Sequence, residues 1–389
     1  MTHYMLGDEQ PARTAFERAI QSGRPFRGKD EARLRLDLLS GSGGNLKDVA
    51  ALEGHLKSNP RDPILLARLA RLYEQSGAFD QAARAYTDVL KYSPGNVSAM
   101  LQLARLYAGP LRDTEKAMQI AQDARRVAPE DPQVGHSLAR LAFQVGNHQW
   151  SLSLLQESAR KLADDPEVFY DLAWSSYSMG QLSNANDAMR KALGLGKQFS
   201  HMADAKRFLE FNTAAMQPGN AAVAATQITA ALKDNPSYVP ALFASGLLEE
   251  RNGAAAAARD AYSKVLKTFP AFVPAHKRLA ILLSSSPSDA GVAYEHATRA
   301  REGFPNDPEV ARTLGILSFQ RKEYSRAVLL LNESLRSRPN DAEAFYYLGV
   351  AQSHLKQKSE SRSSLERALA LGTNAVFVPD AKRILAELK

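Results

Sequence analysis

Prolines divide this 389-residue chain at a nearly fixed interval. Pro60, Pro94 and Pro129, with Ala163 in the next slot, lie 34, 35 and 34 residues apart, and Pro236, Pro270, Pro305 and Pro339 repeat the same steps. Proline cannot donate a backbone hydrogen bond and biases its predecessor away from helical geometry, so each one closes a helical run. A unit of this size is a helix pair that cannot bury its apolar face alone. Units must therefore stack on their neighbours.

Between the prolines, apolar residues recur in register. After Pro60 come Leu66, Leu69, Ala70, Tyr73, Gly77, Ala82, Tyr86, Val89 and Pro94; after Pro236 come Leu242, Gly246, Gly253, Ala258, Tyr262, Val265 and Pro270. Counted within a unit, these are places 4, 7, 8 and 11, then 20, 24 and 27, and such spacing puts each set on one helix face. Gly77, Gly146, Gly180 and Gly253 fall between the two sets, where a helix C-terminus favours glycine. The pattern resembles the tetratricopeptide repeat, carried as Leu69-Ala70, Leu138-Ala139, Leu172-Ala173, Leu314-Gly315 and Leu348-Gly349, each followed by a second-helix Ala or Ser. The resemblance covers nearly the whole chain. It implies an all-α fold, a right-handed α-solenoid of about ten helix-turn-helix units. Pro379 to Lys389 reads as an amphipathic capping helix with Ile384, Leu385 and Leu388 inward.

A longer period is superimposed. Pro60, Pro94, Pro129 and Asp131-Pro132 recur 176 residues later as Pro236, Pro270, Pro305 and Asp307-Pro308. Lys191-Ala192-Leu193 with Asp204-Ala205-Lys206-Arg207 returns as Arg367-Ala368-Leu369 with Asp380-Ala381-Lys382-Arg383. The expected organisation is a single solenoid over 1–389. It comprises a partial repeat at 1–30, a five-unit block at 31–206 and a second at 207–389 ending in the cap at 379–389. Joints are expected at Gly41-Ser42-Gly43-Gly44-Asn45 and at Gln217-Pro218-Gly219-Asn220. Ala12, Phe16 and Ala19 occupy second-helix places, which predicts that the chain enters inside a repeat.

Chemistry-bearing motifs are sparse. There is no cysteine, which excludes disulfides, thiolate metal sites and thiol nucleophiles. Gly194-Leu195-Gly196-Lys197-Gln198 lacks the upstream glycine and the Ser or Thr of a phosphate-binding loop. Gly41 to Gly44 does not follow a strand, so a dinucleotide site fails. The eight histidines show no ligand spacing along the sequence. The glycosylation sequons at Asn96 and Asn332 lie in or beside helices. No catalytic residue, metal site or cofactor is expected. No run of 18 apolar residues and no signal-like N-terminus occur in the chain as given. The compartment, cytoplasmic or periplasmic, stays open.

In the resembled family, first-helix places 2, 5, 9, 12 and 13 line the concave surface. Carried over, place 9 is Arg71, Arg105 and Arg140 in three successive units, then Trp174. His136 and Tyr170 take place 5, and Phe143 and Tyr177 take place 12. Guanidinium groups recognise carboxylates bidentately, and exposed aromatics anchor interfaces. The expected site is a groove for a peptide or helix of acidic character with a bulky apolar anchor. The alternative is that each arginine pairs with a neighbouring acid such as Glu74 or Asp171 while the aromatics pack between helices. The second block offers Phe243, Lys277, Arg312 and Tyr346 at place 5, a more apolar groove with a basic rim that includes Arg278. The Lys/Asn carboxylate clamp of chaperone-binding members is absent.

These features point to a non-catalytic protein-interaction scaffold. Two competing readings are nucleic-acid binding by a helical-repeat protein and the repeat region of a larger enzyme or envelope-export factor. The net charge of +7 and pI near 9.4 favour nucleic acid only weakly, because the charges of both signs are interspersed. The compositional style is similar to bacterial members of the family.

Overall fold

The computed structural model describes residues 2–6, 9–22, 26–40, 48–216 and 221–388. Among the described residues there are 23 α-helices, one 3-10 turn and no strand, so the fold is all-α, a solenoid of consecutive packed helix pairs. The chain divides into two compact units, Met1–Asp171 and Leu172–Lys389. The two expected joints, at Gly41 to Asn45 and at Gln217 to Asn220, lie outside the described residues.

Helix starts are written in the sequence. In the first unit Asp62 accepts from the N–H groups of Ile64 and Leu65 at 3.0 and 3.1 Å, and Pro63 fills the first helical position of Pro63–Gln75. Asp131 and Pro132 do the same for Pro132–Gln144. In the second unit Asp307 and Pro308 start Pro308–Gln320, with both bonds at 2.9 Å. An acid that satisfies otherwise unpaired donors at a helix start, where the dipole also favours it, is worth about 1 kcal/mol.

Several of the turns inside a pair close on a left-handed residue, whereas Val273–Ser284 and Ala290–Gly303 are joined through the 3-10 turn Pro287–Asp289. Gly77 has φ +76°, its N–H bonds Glu74 O at 3.0 Å, and Ala78 N–H bonds Tyr73 O at 2.8 Å. Gly146, Gly180 and Gly253 take the same conformation. Lys322 and Lys356, both at φ +62°, and Arg112 at φ +53° do so without being glycine. Lys322 repeats the bonding pattern, to Phe319 O at 2.8 Å, with Glu323 N–H on Ser318 O at 2.9 Å. The closing bonds hold these side-chain-bearing residues against the roughly 1–2 kcal/mol cost of left-handed backbone.

The small residues at places 8, 20 and 27 are the core. Ala70, Ala82, Val89, Ala139, Ala258, Val265 and Ala327 are fully buried. Two helices meet there so closely that a Cβ on Gly246 would lie 2.4 Å from the Tyr262 ring, and one on Gly349 2.7 Å from Leu365. Buried serines return their hydroxyls to backbone, as Ser334 does to Pro308 O and Ser361 to Gly349 O, each at 2.7 Å.

Within each unit, successive pairs are tied across their second helices. Arg125 meets Glu157 at 2.7 Å in the first unit; Arg301 meets Glu333 at 2.6 Å in the second, each residue 176 positions later. The long sequence period thus recurs as a physical contact. The C-terminal helix Val378–Glu387 buries Ile384 and then Leu388 against Val350 and Leu365, and exposes Lys382, Arg383 and Glu387. At the other end, helix Thr2–Leu6 precedes helix Glu9–Gln21, whose Ala12 and Phe16 are buried. Tyr4 packs edge-on to Phe16 and donates its hydroxyl to Asp62.

Candidate partner-binding face

In the first unit the three arginines sit on three first helices, Pro63–Gln75, Val97–Ala108 and Pro132–Gln144. Their side chains are 51%, 65% and 57% exposed. Each nevertheless has an acid beside it: Arg71 lies 3.6 Å from Glu9, Arg105 contacts Glu74, and Arg140 lies 3.6 Å from Asp171. A guanidinium carries five donors, so one carboxylate leaves most of them facing solvent. Glu74 and Asp171 are only 15% and 20% exposed, so the surface-pair value of about 0–1 kcal/mol applies to Arg71–Glu9, while Arg105 and Arg140 keep their acids and turn their spare donors outward.

His136 was expected on this face and is buried instead, with Nε2 2.7 Å from Asp171. Helix packing around place 5 encloses the ring, so its role is to hold the acid that Arg140 shares. Phe143 is half-buried with its ring 4.7 Å from that of His148. Burial holds His148 down at about 4, so this ring pair is uncharged at neutral pH. Tyr170 is also half-buried.

The second unit sorts its candidates differently. Trp174 is half-buried, edge-on to Phe208 at 5.2 Å and to Tyr177 at 5.9 Å. Tyr177 and Phe243 were expected to line a groove, and both lie in the core. Tyr177 packs on Phe208 at 5.0 Å and on Phe272 at 4.9 Å, and Phe243 packs on Phe272 at 5.2 Å. Phe272, at the start of the next helix pair after Phe243, packs on both rings. Burial alone pushes the Tyr177 hydroxyl well above the ordinary tyrosine range, so it stays protonated.

The expected basic rim is tied down internally. Lys277 is only 18% exposed and reaches Asp307 at 2.7 Å and Glu309 at 3.0 Å. Arg312, 24% exposed, reaches Asp341 at 2.8 Å and also Glu343. Tyr346 donates to Asp380 at 2.8 Å while its ring stacks on Phe377 at 4.8 Å. Arg278 meets Glu250, which also accepts from the Tyr262 hydroxyl at 2.8 Å. Burial raises the Asp307 pKa, but Lys277 and the N–H groups of Val310 and Glu309 outweigh it, leaving the carboxyl below its usual range. A place-5 side chain of one pair thus reaches an acid at or near the start of a later first helix. Sequence reading missed these ties. The only signal was the recurrence of acids at helix starts 29 to 34 residues after Lys277, Arg312 and Tyr346.

Among the described residues no three His, Asp or Glu side chains converge on a metal-sized site, and no helix is long and apolar enough to cross a membrane.

Two tetratricopeptide-repeat family models match the sequence, one over residues 74–141 and the other over 213–271 and 313–376. No curated protein matches it. Solved structures that resemble it include the MamA protein, 19% identical, covering 53% of this chain and 91% of that one with a TM-score of 0.33. YrrB, titled a TPR protein with an unusual peptide-binding site, is 16% identical over 59% of this chain and 97% of that one, with a TM-score of 0.34. The P58(IPK) TPR domain is 19% identical over 84% of this chain and 98% of that one, with a TM-score of 0.30.

Proposed function

We propose, on the premise that this chain is a tetratricopeptide-repeat protein, that it is a non-catalytic scaffold holding protein partners on the first-helix face of its first unit. The repeats make it a protein-interaction scaffold; the face, the partner's acidic character and the absence of catalysis are our reading. The observation that carries it is the set of three arginines on successive first helices, each more than half exposed with a single acid beside it. Partner carboxylates take the guanidinium donors that Glu9, Glu74 and Asp171 leave facing solvent, and several such contacts in line add up. Phe143 and Tyr170 supply half-buried apolar surface on the same unit. The second unit's Lys277, Arg312 and Tyr346 belong to the fold's internal ties in this reading.

A photo-crosslinking amino acid placed at Arg105, and in a separate protein at Arg84 on the second helix Phe79–Tyr92, tests the face. Adducts with protein partners from position 105 and not from 84 are expected. Equal labelling from both positions, or labelling from 84 alone, overturns the assignment.

A further inference from the structure

The three arginines of the first-helix face do not lean the same way. Arg71 reaches back to Glu9 and Arg105 back to Glu74, acids on the earlier helices Glu9–Gln21 and Pro63–Gln75. Arg140 turns forward, toward Asp171 on Pro166–Ser178. Resting on the acidic-partner reading above, we propose that this row takes a polyproline II segment of the partner. Its carboxylates stand at positions 1, 4 and 10 and an apolar residue at 7, in this order or reversed.

The spacing comes from the helices. Val97–Ala108 and Pro132–Gln144 touch, and touching helices have axes about 8–10 Å apart. Pro63–Gln75 continues the same repeat and is bridged to Val97–Ala108 by Glu74 and Arg105. Each arginine holds the same place in its helix, so the row advances by about that step. A polyproline II helix has about three residues per turn and rises about 3.1 Å per residue, so every third side chain returns to one face about 9.3 Å further on. A β-strand returns a side chain after about 6.8 or 13.6 Å, and an α-helix after about 5.4 or 10.5 Å. Of the three, the polyproline II segment falls inside the step.

The opposed lean sets the register. Arg71 and Arg105 both point back, so their heads stay about one step apart, which is one polyproline turn and carboxylates at 1 and 4. Arg105 points back and Arg140 forward, so their heads are parted by about two steps, or about six residues, and the third carboxylate falls at 10. The side chain at 7 then lies over the seam between Val97–Ala108 and Pro132–Gln144, between the two guanidinium groups. Leu101, four residues before Arg105, and Phe143, three after Arg140, are half-buried on either side of that crossing and offer it apolar surface. A polyproline II backbone makes no hydrogen bonds of its own. Gln75 and Gln144, exposed and each four residues after an arginine of the row, bring amide donors to the same helix faces for its carbonyls.

Fluorescence anisotropy against the full chain tests the register, with labelled, end-blocked, proline-rich peptides of identical composition. Two carry glutamate at 1, 4 and 10 with leucine at 7, in the two orders; a third carries glutamate at 1, 3 and 5 with leucine at 7, the spacing of a strand face. The better of the first two should bind at least tenfold tighter than the third. Glutamine in place of its isolated glutamate should weaken binding to the wild type and change nothing in Arg140→Gln. A smaller difference between peptides, or an isolated glutamate that matters as much in Arg140→Gln, overturns the register. If binding is then still lost when Arg71→Gln, Arg105→Gln and Arg140→Gln are combined, the first-helix reading stands without it. Binding of no peptide below about 1 mM, or binding unaltered in that triple variant, overturns both.

Discussion

Gly246→Ala should destabilise this protein, although alanine is the better helix former. Gly246 lies inside helix Val239–Arg251, where replacing glycine normally gains about 1 kcal/mol. Here the added methyl would sit 2.4, 2.7 and 2.8 Å from three carbons of the Tyr262 ring. Carbon contacts are comfortable only at about 3.5–4.0 Å, so the ring must retreat by about 1 Å or the helices must separate. Tyr262 has nowhere to go: it is fully buried, packed on Phe243 at 5.7 Å, and its hydroxyl is bonded to Glu250. Overpacking costs about 1–3 kcal/mol, and loss of the bond to an ionised acceptor about 1.5–3 kcal/mol more. After the helix gain is subtracted, a net loss of about 1.5–5 kcal/mol is expected. Gly54, inside helix Val49–Ser58, is the control, since a Cβ there meets nothing within 4 Å. Gly54→Ala should stabilise by about 0.5–1 kcal/mol. Urea unfolding followed by circular dichroism measures both, and Tyr262→Leu should relieve much of the Gly246→Ala cost in a double-mutant cycle. Equal and positive effects at both glycines would refute the close approach of the paired helices.

Further outcomes follow from the same contacts. Lys322→Gly and Lys356→Gly should each be stabilising by up to about 1 kcal/mol, because the left-handed strain removed exceeds the entropy glycine adds to the unfolded chain, whereas Gly77→Ala should destabilise by about 1 kcal/mol; thermal melts read all three. Asp307 has a depressed pKa, so it stabilises the fold above the unfolded value near 3.8, and that contribution disappears as pH falls through the lower folded value; Asp307→Asn should flatten acid unfolding in that range and cost about 1–2 kcal/mol at pH 7. His296 is lowered from 6.5 to about 4, so stability is full above pH 6.5 and declines as pH drops toward 4; His296→Gln should make that slope shallower in denaturant titrations at stepped pH.

The repeat register was legible because it depends on contacts inside one helix pair. Leu69-Ala70 and Ala82, or Gly246 and Ala258, must be small or apolar wherever two helices touch, and period alone exposes that. Which candidate residues face solvent was not legible. Arg105 and Arg312 are the same residue type on first helices, yet the first is mostly exposed and the second bridges Asp341 and Glu343. Arg105 stands at place 9 and Arg312 at place 5, and place-5 side chains reach an acid of a following helix 29 to 35 residues on, a contact that a pattern read within one repeat does not record. Tyr177 and Phe243 lost their expected exposure for a related reason, since Phe272 covers both, from 95 residues after the first and 29 after the second. The hydrogen bond between His276 and His296 was not legible either, because the two lie on different helices 20 residues apart. Lys322 and Lys356 hid the helix-pair turn that glycine marks elsewhere.

A charge-matched capture experiment tests the partner-binding claim most directly. One bait carries Arg71→Glu, Arg105→Glu and Arg140→Glu on the first helices. Another carries Arg84→Glu, Arg126→Glu and Arg160→Glu on the second helices Phe79–Tyr92, Thr114–Val127 and His148–Lys161, where all three are exposed. Both lose the same net charge, and circular dichroism confirms that both fold. The account predicts that the first bait loses the partners captured by the wild type while the second keeps them. Identical partner sets for all three proteins, or equal losses in both variants, would contradict it.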